Sequence, residues 1–272
     1  MFDDPRPQMQ RTRGQALVAM SRRGGVTRLD RLAQSGSAKA FLPRVHTDVP
    51  EIVFLNTAGG LTGGDKLSFG VNVGDGARVV AATQTAERVY RAAEGVAEVD
   101  VCLTVGKGAE LHWLPQETIA FEGAALARET TVDLDRDARF LMVETLVLGR
   151  AAMGERVNTL SLTDRRTVRR EGRPVFVEPL AIDTAALAVR SPATLGDAQA
   201  LTTLAFIAPG AEDALGPVRA ALEGSPVNAA ASAWDGKLTL RAMSPDAHGL
   251  RRLVAHVLTQ LRGGPLPRVW QV

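Results

Sequence analysis

Apolar and polar residues alternate along much of this chain. Every second residue of 67–73 and of 99–105 is apolar, with polar or small residues between them. A period of two is typical of strands that bury one face and expose the other. On the same evidence we predict further strands at 15–20, 26–33, 51–55, 77–85, 109–114, 126–134, 158–168, 174–182, 201–208, 227–234 and 236–243.

Turn-forming residues separate these segments. Gly74-Asp75-Gly76 and Gly106-Lys107-Gly108 fall between predicted strands, and Asp235-Gly236 is typical of a two-residue β-hairpin. Many short strands at spacings near ten residues predict a mainly β fold of mostly antiparallel strands. We expect one domain over 1–272, because no linker, internal repeat or low-complexity tract interrupts the pattern.

Helical periodicity is confined to the C-terminal part. The segment 245–262 has an apolar stripe, with Ser244 as a candidate N-cap, Pro245 in its first turn and Gly263 after its end. A second helix is predicted over 211–223. The apolar stretch 138–148 fits a buried strand or a buried helix equally well. The expected fold is therefore mainly β with a small helical part near the C-terminus, and α+β by strict count.

Composition narrows the classes of function. The 272 residues are 45% hydrophobic and 23% charged, with a net charge of +2 and no basic block, so we expect a soluble globular protein that does not bind nucleic acid. The single cysteine, Cys102, excludes an internal disulfide and a cysteine-cluster metal site. No apolar run reaches ~18 residues, and the first residues are too polar for a signal peptide, so we expect a cytoplasmic location without membrane contact.

The glycine-rich segment 56–65 is the most unusual of the chain. A phosphate-binding loop would end in Gly-Lys-Ser/Thr, but Asp65 follows Gly64 here, and the downstream segment has strand periodicity. A tight turn between strands is the favoured interpretation. A small-anion-binding enzyme that uses the loop Gly59–Asp65 remains an alternative, although no base, nucleophile or metal set accompanies it.

Two carboxylates lie inside apolar strands. Glu144 stands in 138–148 and Glu178 in 174–182, and a buried carboxylate requires a partner. Arg150 is a candidate partner for Glu144, and two buried salt bridges are as good an interpretation as a functional role. The histidines have no metal-site spacing, so no tightly bound metal is expected; they are His46, His112, His248 and His256.

A set of motifs in a fixed order resembles the UreD (UreH) family of urease accessory proteins. The resemblance extends over almost the whole chain. One departure is Thr57-Ala58, where many members have two prolines. The matching motifs are Leu42-Pro43-Arg44, Asn56–Asp65 (NTAGGLTGGD), Thr83–Arg91 (TQTAERVYR), Trp113–Ile119 (WLPQETI), Phe121–Ala124 (FEGA), Leu148–Glu155 (LGRAAMGE) and Pro267–Trp270 (PRVW).

The resemblance implies a protein that is not an enzyme. Members of the family act as scaffolds and metallochaperone components in urease metallocentre assembly. They bind UreF, and through UreF the GTPase UreG, and the complex docks on apo-urease. Nickel insertion then implies Ni²⁺ in transit and no tightly bound cofactor. The family fold is mostly β with a small helical part.

The role implied by the resemblance suggests a function for the unusual carboxylates. Asp65, Glu144 and Glu178 are candidates to line a nickel passage, because weak oxygen ligands pass a dication on without trapping it. A pure protein-binding scaffold without nickel passage is the alternative. The residues that would shape the motif loop are Asn56, Gly59, Gly60, Gly63 and Gly64. The residues that would form a partner interface mix arginine with aromatic and acidic groups, and are Arg88, Tyr90, Arg91, Arg150 and Glu155.

Overall fold

The computed structural model describes residues 11–45, 47–191 and 193–271. The described strands are β1 (Arg13–Arg23), β2 (Val26–Gly36), β3 (Ala38–Phe41), β4 (Glu51–Asn56), β5 (Lys66–Val73), β6 (Arg78–Thr83), β7 (Glu87–Val89), β8 (Ala97–Val105), β9 (Glu110–Leu114), β10 (Thr118–Ala120), β11 (Ala124–Leu134), β12 (Arg139–Leu148), β13 (Leu160–Arg170), β14 (Arg173–Asp183), β15 (Ala200–Ile207), β16 (Asn228–Trp234) and β17 (Lys237–Ser244). The α-helices are α1 (Thr184–Ala188), α2 (Leu215–Leu222) and α3 (Ala247–Arg262), with 3-10 turns at Ala151–Met153, Ala211–Ala214 and Arg268–Trp270.

The strands form two sheets. The order of sheet A is β14-β13-β11-β8-β5-β1-β2, and that of sheet B is β16-β17-β15-β12-β9-β6-β4-β3. Between residues 51 and 170 the chain crosses from one sheet to the other after every long strand, so it coils through both. Each strand then pairs with the strand one coil earlier, and that pairing is parallel, as in β5 with β8 and β6 with β9.

The mainly β class and the C-terminal helices are confirmed, but the prediction of mostly antiparallel strands is wrong. Parallel ladders outnumber antiparallel ones among the described strands. The physical reason lies in the turns. Gly74–Ala77 and Gly106–Ala109 resemble hairpin turns in sequence, yet each leads into the opposite sheet, so the strands that they join do not pair. The hairpin of β16 and β17 around Asp235-Gly236 is confirmed.

The apolar core has two layers. The inner layer lies between the sheets, where Phe54 of β4 packs on Phe69 of β5 with ring centroids 5.2 Å apart. The outer layer lies between sheet B and the helices α2 and α3. Strand β12 belongs to both layers: Phe140 and Met142 are in the inner layer, and Leu141 and Val143 are in the outer one. Because both faces of β12 are buried, the sequence of 138–148 has no alternation of apolar and polar residues. It therefore did not distinguish a strand from a helix.

The C-terminal helix follows the prediction except at its start. The apolar stripe is buried through Leu250, Leu253, Val254, Val257 and Leu258, and Gly263 ends the helix in the left-handed conformation. The N-cap, however, is Asp246 and not Ser244, because the Asp246 carboxylate accepts hydrogen bonds from the backbone N–H groups of His248 and Gly249. Pro245 therefore precedes the helix. Among the described residues, no helix has the length and hydropathy of a membrane span.

The coil has two unequal ends. At one end, which we call the turn end, four-residue turns (74–77, 106–109 and 135–138) lead from sheet A to sheet B. At the other, which we call the connector end, the longer segments 57–65, 84–96, 115–123 and 149–159 lead back. These connectors also stack: β7 pairs with β10, β10 pairs with β12, and Leu61 bridges Val89.

Candidate functional site

A chain of buried charges runs through the space between the sheets. It begins at Glu144, whose carboxylate accepts a hydrogen bond from Trp113 Nε1 at 2.9 Å and lies 2.8 Å from Arg128 Nη1. Arg128 then contacts Asp164, which also contacts Arg166. All these side chains occupy inward positions of their strands, so the charges meet because the sheets face each other.

The chain continues from Arg166 to Glu178 of β14. The Glu178 carboxylate also accepts hydrogen bonds from Thr203 Oγ1 at 3.1 Å and from Arg241 Nε at 2.9 Å. The side chain of Arg241 is 65% exposed, so the chain of charges ends at the surface. Burial alone would raise the pKa of Asp164, but the adjacent guanidiniums of Arg128 and Arg166 hold that pKa below its usual value.

A pocket opens at the connector end and reaches the first charges of this chain. We call it the inter-sheet pocket. Its cavity volume is about 90 Å³, and its lining includes Phe69, Trp113, Arg128 and Glu144. Aromatic and aliphatic side chains of both sheets form its walls, so its polar floor is shielded from bulk water.

Glu87 lines the mouth of the inter-sheet pocket. Burial raises the pKa of its carboxyl group to about 7, against the opposing effect of hydrogen bonds from Asn56 and from the backbone N–H of Arg88. The negative charge of Asp65 adds a smaller upward contribution. A carboxyl group with a pKa near neutrality exchanges protons readily, and such groups are frequent at functional sites.

Asp65 organises the glycine-rich connector. Its carboxylate accepts hydrogen bonds from the backbone N–H groups of Thr12 at 2.7 Å and Thr62 at 2.8 Å. Asn56 likewise closes its end of the segment, donating to the carbonyl oxygen of Gly60 and accepting from the N–H of Ala58. A carboxylate thus occupies the position at which a phosphate-binding loop would receive its anion. The structure accordingly has an inter-strand connector here, as the turn interpretation predicts.

The glycines let neighbouring connectors approach this loop. A methyl group at Gly60 would lie 2.3 Å from the Tyr90 ring, and one at Gly63 would lie 2.1 Å from the carbonyl oxygen of Glu94. The hydroxyl of Tyr90 donates to the carbonyl oxygen of Gly59 at 3.3 Å. Gly64 has a φ of +87° and donates its N–H to the carbonyl oxygen of Val96. The segments 57–65 and 84–96 therefore form one packed unit.

The candidate interface residues lie on the outer surface of the connector end. Tyr90 is 40% exposed and packs edge-on against the Phe121 ring at 5.1 Å. Arg150 covers the same ring at 4.5 Å and donates through Nε to Glu155 at 2.7 Å. Hydrogen bonding to Arg150 lowers the pKa of Glu155. Arg88 and Arg91 are also exposed beside Tyr90.

The structure brings some of the predicted passage residues together. Glu144 and Glu178 belong to one chain of ion pairs, as the salt-bridge interpretation predicts, whereas Asp65 stands apart in the connector. The prediction of Arg150 as the partner of Glu144 is wrong. Arg150 follows the end of β12 and pairs with Glu155, while the facing sheet supplies Arg128.

Three buried charges escaped the sequence analysis: Arg128, Asp164 and Arg166. Each has one apolar, buried residue two positions away on its strand: Leu126 for Arg128, Leu162 for Asp164 and Val168 for Arg166. The sequence feature that could have identified these buried charges is a charged residue at a core-facing position of an alternating strand. Among the described residues, no group of three or more His, Cys, Asp or Glu is arranged to hold a metal ion, and His46 lies outside them.

Comparison with known proteins gives one consistent result. The family model for the UreD urease accessory protein matches residues 12–271. The chain is 59% identical to a urease accessory protein UreD of Cereibacter sphaeroides, over 98% of each chain. It is 55% identical to that of Dinoroseobacter shibae, covering 98% of this chain and 94% of the relative, and 51% identical to that of Paracoccus denitrificans, covering 100% and 97%.

Proposed function

Because this chain belongs to the UreD family of urease accessory proteins, we propose that it is a non-catalytic scaffold in the assembly of the urease metallocentre. In this proposal it binds UreF, engages the GTPase UreG through UreF, and docks with them on apo-urease. Its second task is to help Ni²⁺ reach the urease active site. The ion is cargo in transit and not a resident cofactor.

The gathering of the motif segments at the connector end carries this proposal. The segments 57–65, 84–96, 115–123 and 149–159 are far apart in sequence, yet backbone pairing stacks each on the next. They present exposed arginine, Tyr90 and Met153, the last of which is 74% exposed. Arginine, tyrosine and methionine are enriched in protein–protein interfaces. We therefore assign the partner interface to this end.

Co-purification with UreF tests the interface. Tyr90→Ala and Arg150→Ala should each reduce the UreF retained by the tagged chain, because they remove the exposed ring and the guanidinium that covers Phe121. Arg23→Ala is the control, since Arg23 is an exposed arginine at the end of β1 whose ion pair with Asp30 lies away from the connectors. Equal capture of UreF by all three variants would reject this surface.

The inter-sheet pocket and the chain of charges support the passage of nickel. Glu87 stands at the mouth of the pocket, Glu144 on its floor, and Glu178 near the far surface. Glu144 and Glu178 are already bonded to guanidiniums, so a dication would have to compete for them. That competition keeps these two contacts weak, which is what release of the ion requires.

Nickel content of urease, measured with the complex intact, tests the passage. Glu144→Gln and Glu178→Ala should leave UreF bound and reduce the nickel loaded into urease, and Asp65→Asn, which keeps one acceptor oxygen for the connector, should do the same. Glu129→Ala is the matched control, because Glu129 neighbours Arg128 on β11 but is exposed. Normal nickel loading in all three variants would reject the passage.

The same ion pairs favour a second candidate, a scaffold that nickel does not enter. Arg128 and Arg166 place positive charge among the carboxylates, and such charge repels a dication. This candidate predicts normal nickel loading wherever the complex assembles. The nickel measurement therefore separates it from the first.

A further inference from the structure

A second pocket lies at the turn end, away from the connectors. Parallel strands begin there with charged residues: Glu51 opens β4, Arg78 opens β6 and Glu110 opens β9. The last residue of α3, Arg262, and Arg268 in the segment that follows the helix line the other side of the pocket. The pocket has a cavity volume of about 520 Å³.

A hydrogen-bond relay fixes one wall of this pocket. Arg262 Nη1 lies 3.1 Å from His112 Nδ1, and a guanidinium can only donate, so Nδ1 accepts. The opposite nitrogen, Nε2, therefore donates to Glu110 at 2.8 Å. Burial lowers the pKa of His112, in keeping with a neutral ring. Arg78 Nε donates to the second oxygen of Glu110 at 3.0 Å.

Two buried polar atoms of residues that line the pocket have no hydrogen-bond partner among the described residues. They are Arg262 Nε, a donor, and Glu51 Oε2, an acceptor. A buried polar atom without a partner requires an explanation, such as a bound water, a bound ion, stored strain or a functional role. The pocket also has excess positive charge, because Arg44 and Arg268 line it without an ion pair to a described carboxylate.

Because one unpartnered atom is a donor and the other an acceptor, we propose that the turn-end pocket binds a small oxyanion that carries a proton at neutral pH. The candidate ions are hydrogen phosphate and hydrogencarbonate. The anionic oxygens would accept from Arg262 Nε and from the guanidiniums of Arg44 and Arg268. The remaining O–H group would donate to Glu51 Oε2. Such an ion is both donor and acceptor, and therefore satisfies both unpartnered atoms at once.

The Glu51 carboxylate should make the site selective for an oxyanion that carries a proton. Sulfate has the size and charge of hydrogen phosphate but carries no proton at neutral pH, so its oxygens would face the Glu51 carboxylate without a hydrogen bond. A phosphate monoester loses its last proton near pH 6 and meets the same obstacle at pH 8. Leaving a buried acceptor unsatisfied typically weakens binding by about tenfold or more.

Isothermal titration calorimetry on the full chain at pH 8 and constant ionic strength tests the site. The probes are sodium phosphate, hydrogencarbonate, sulfate and methyl phosphate. We expect at least one of the first two to bind about tenfold more tightly than sulfate and methyl phosphate. The tighter of the two identifies the ion. Sulfate binding as tight as both, or no binding of either up to about 10 mM, would overturn the proposal.

Variants separate recognition from general charge attraction. Glu51→Gln supplies an amide donor, so the ratio between the preferred ion and sulfate should fall to within about twofold. Arg268→Gln and Arg44→Gln are exposed changes that should weaken both ions roughly two- to fivefold and leave the ratio unchanged. Arg190→Gln is the control and should change neither quantity. An unchanged ratio in Glu51→Gln would overturn the assignment even if the ions bind.

Discussion

Removal of the Arg128 side chain is the sharpest test of the buried chain of charges. Arg128 lies 2.8 Å from Glu144, donates to Thr118 Oγ1 at 3.1 Å and contacts Asp164. In Arg128→Met the methionine fills much of the same volume. Asp164 keeps its contact with Arg166, but Glu144 keeps only the hydrogen bond from Trp113.

The expected loss of stability follows from the different positions of the two carboxylates, because only Glu144 is left without a guanidinium. Breaking a buried ion pair by removing one partner costs about 3–5 kcal/mol, because it leaves a charge buried without compensation. We expect this loss in the free energy of unfolding of Arg128→Met at pH 8. The double variant Arg128→Met/Glu144→Gln removes the uncompensated charge, so it should recover about half of the loss or more.

Urea unfolding followed by tryptophan fluorescence measures these differences, since Trp113 is bonded to Glu144. The loss in Arg128→Met should be smaller at pH 5 than at pH 8, because uptake of a proton relieves the isolated carboxylate. The double variant should lack that difference. A loss below about 1 kcal/mol at pH 8, or the same pH dependence in both variants, would refute the reasoning.

Three further changes have expected outcomes in the same unfolding assay. Asp65→Ala removes the acceptor of two backbone N–H groups and should destabilise the fold by about 2–4 kcal/mol, with partial recovery in Asp65→Asn. Burial raises the pKa of Glu87 from 4.5 to about 7, so the folded state binds the extra proton between these values. The stability of the wild type relative to Glu87→Gln should therefore fall by about 3 kcal/mol as the pH rises from about 4 to about 8, and a flat difference would contradict the shift. Gly63→Ala places a methyl 2.1 Å from the carbonyl oxygen of Glu94 and should cost about 3 kcal/mol, whereas Gly264→Ala, which meets nothing within 4 Å, should cost almost nothing.

The individual strands were predictable because burial of one face produces an alternation of apolar and polar residues. Segments such as 67–73 and 99–105 fall within β5 and β8. Their pairing was not predictable from the same signal, because alternation is identical whether the next strand lies beside or opposite. A four-residue turn such as 74–77 serves a hairpin or a crossing between sheets equally well. Only the stacking of several coils decides between them.

The candidate site was predictable in part for a related reason. Glu144 and Glu178 are conspicuous because a carboxylate interrupts an apolar run. Their partners come from other strands, and the distance along the chain gives no information about them. Arg128 is 16 residues from Glu144 in sequence but faces it across the core, whereas the nearer Arg150 is held by Glu155.

The four outer strands of the two sheets limit how the coil ends. Strands β2 and β14 border sheet A, and β3 and β16 border sheet B, and each is joined antiparallel to its neighbour. Without such strands, the unpaired N–H and C=O groups of the last parallel strand could pair with a strand of another molecule. Antiparallel strands at both ends of each main strand order interrupt that repeat, and on β3 the side chain of Gln34 already accepts a hydrogen bond from the N–H of Ala40. These border strands thereby disfavour end-to-end polymerisation of the chain, a characteristic hazard of open β-solenoids.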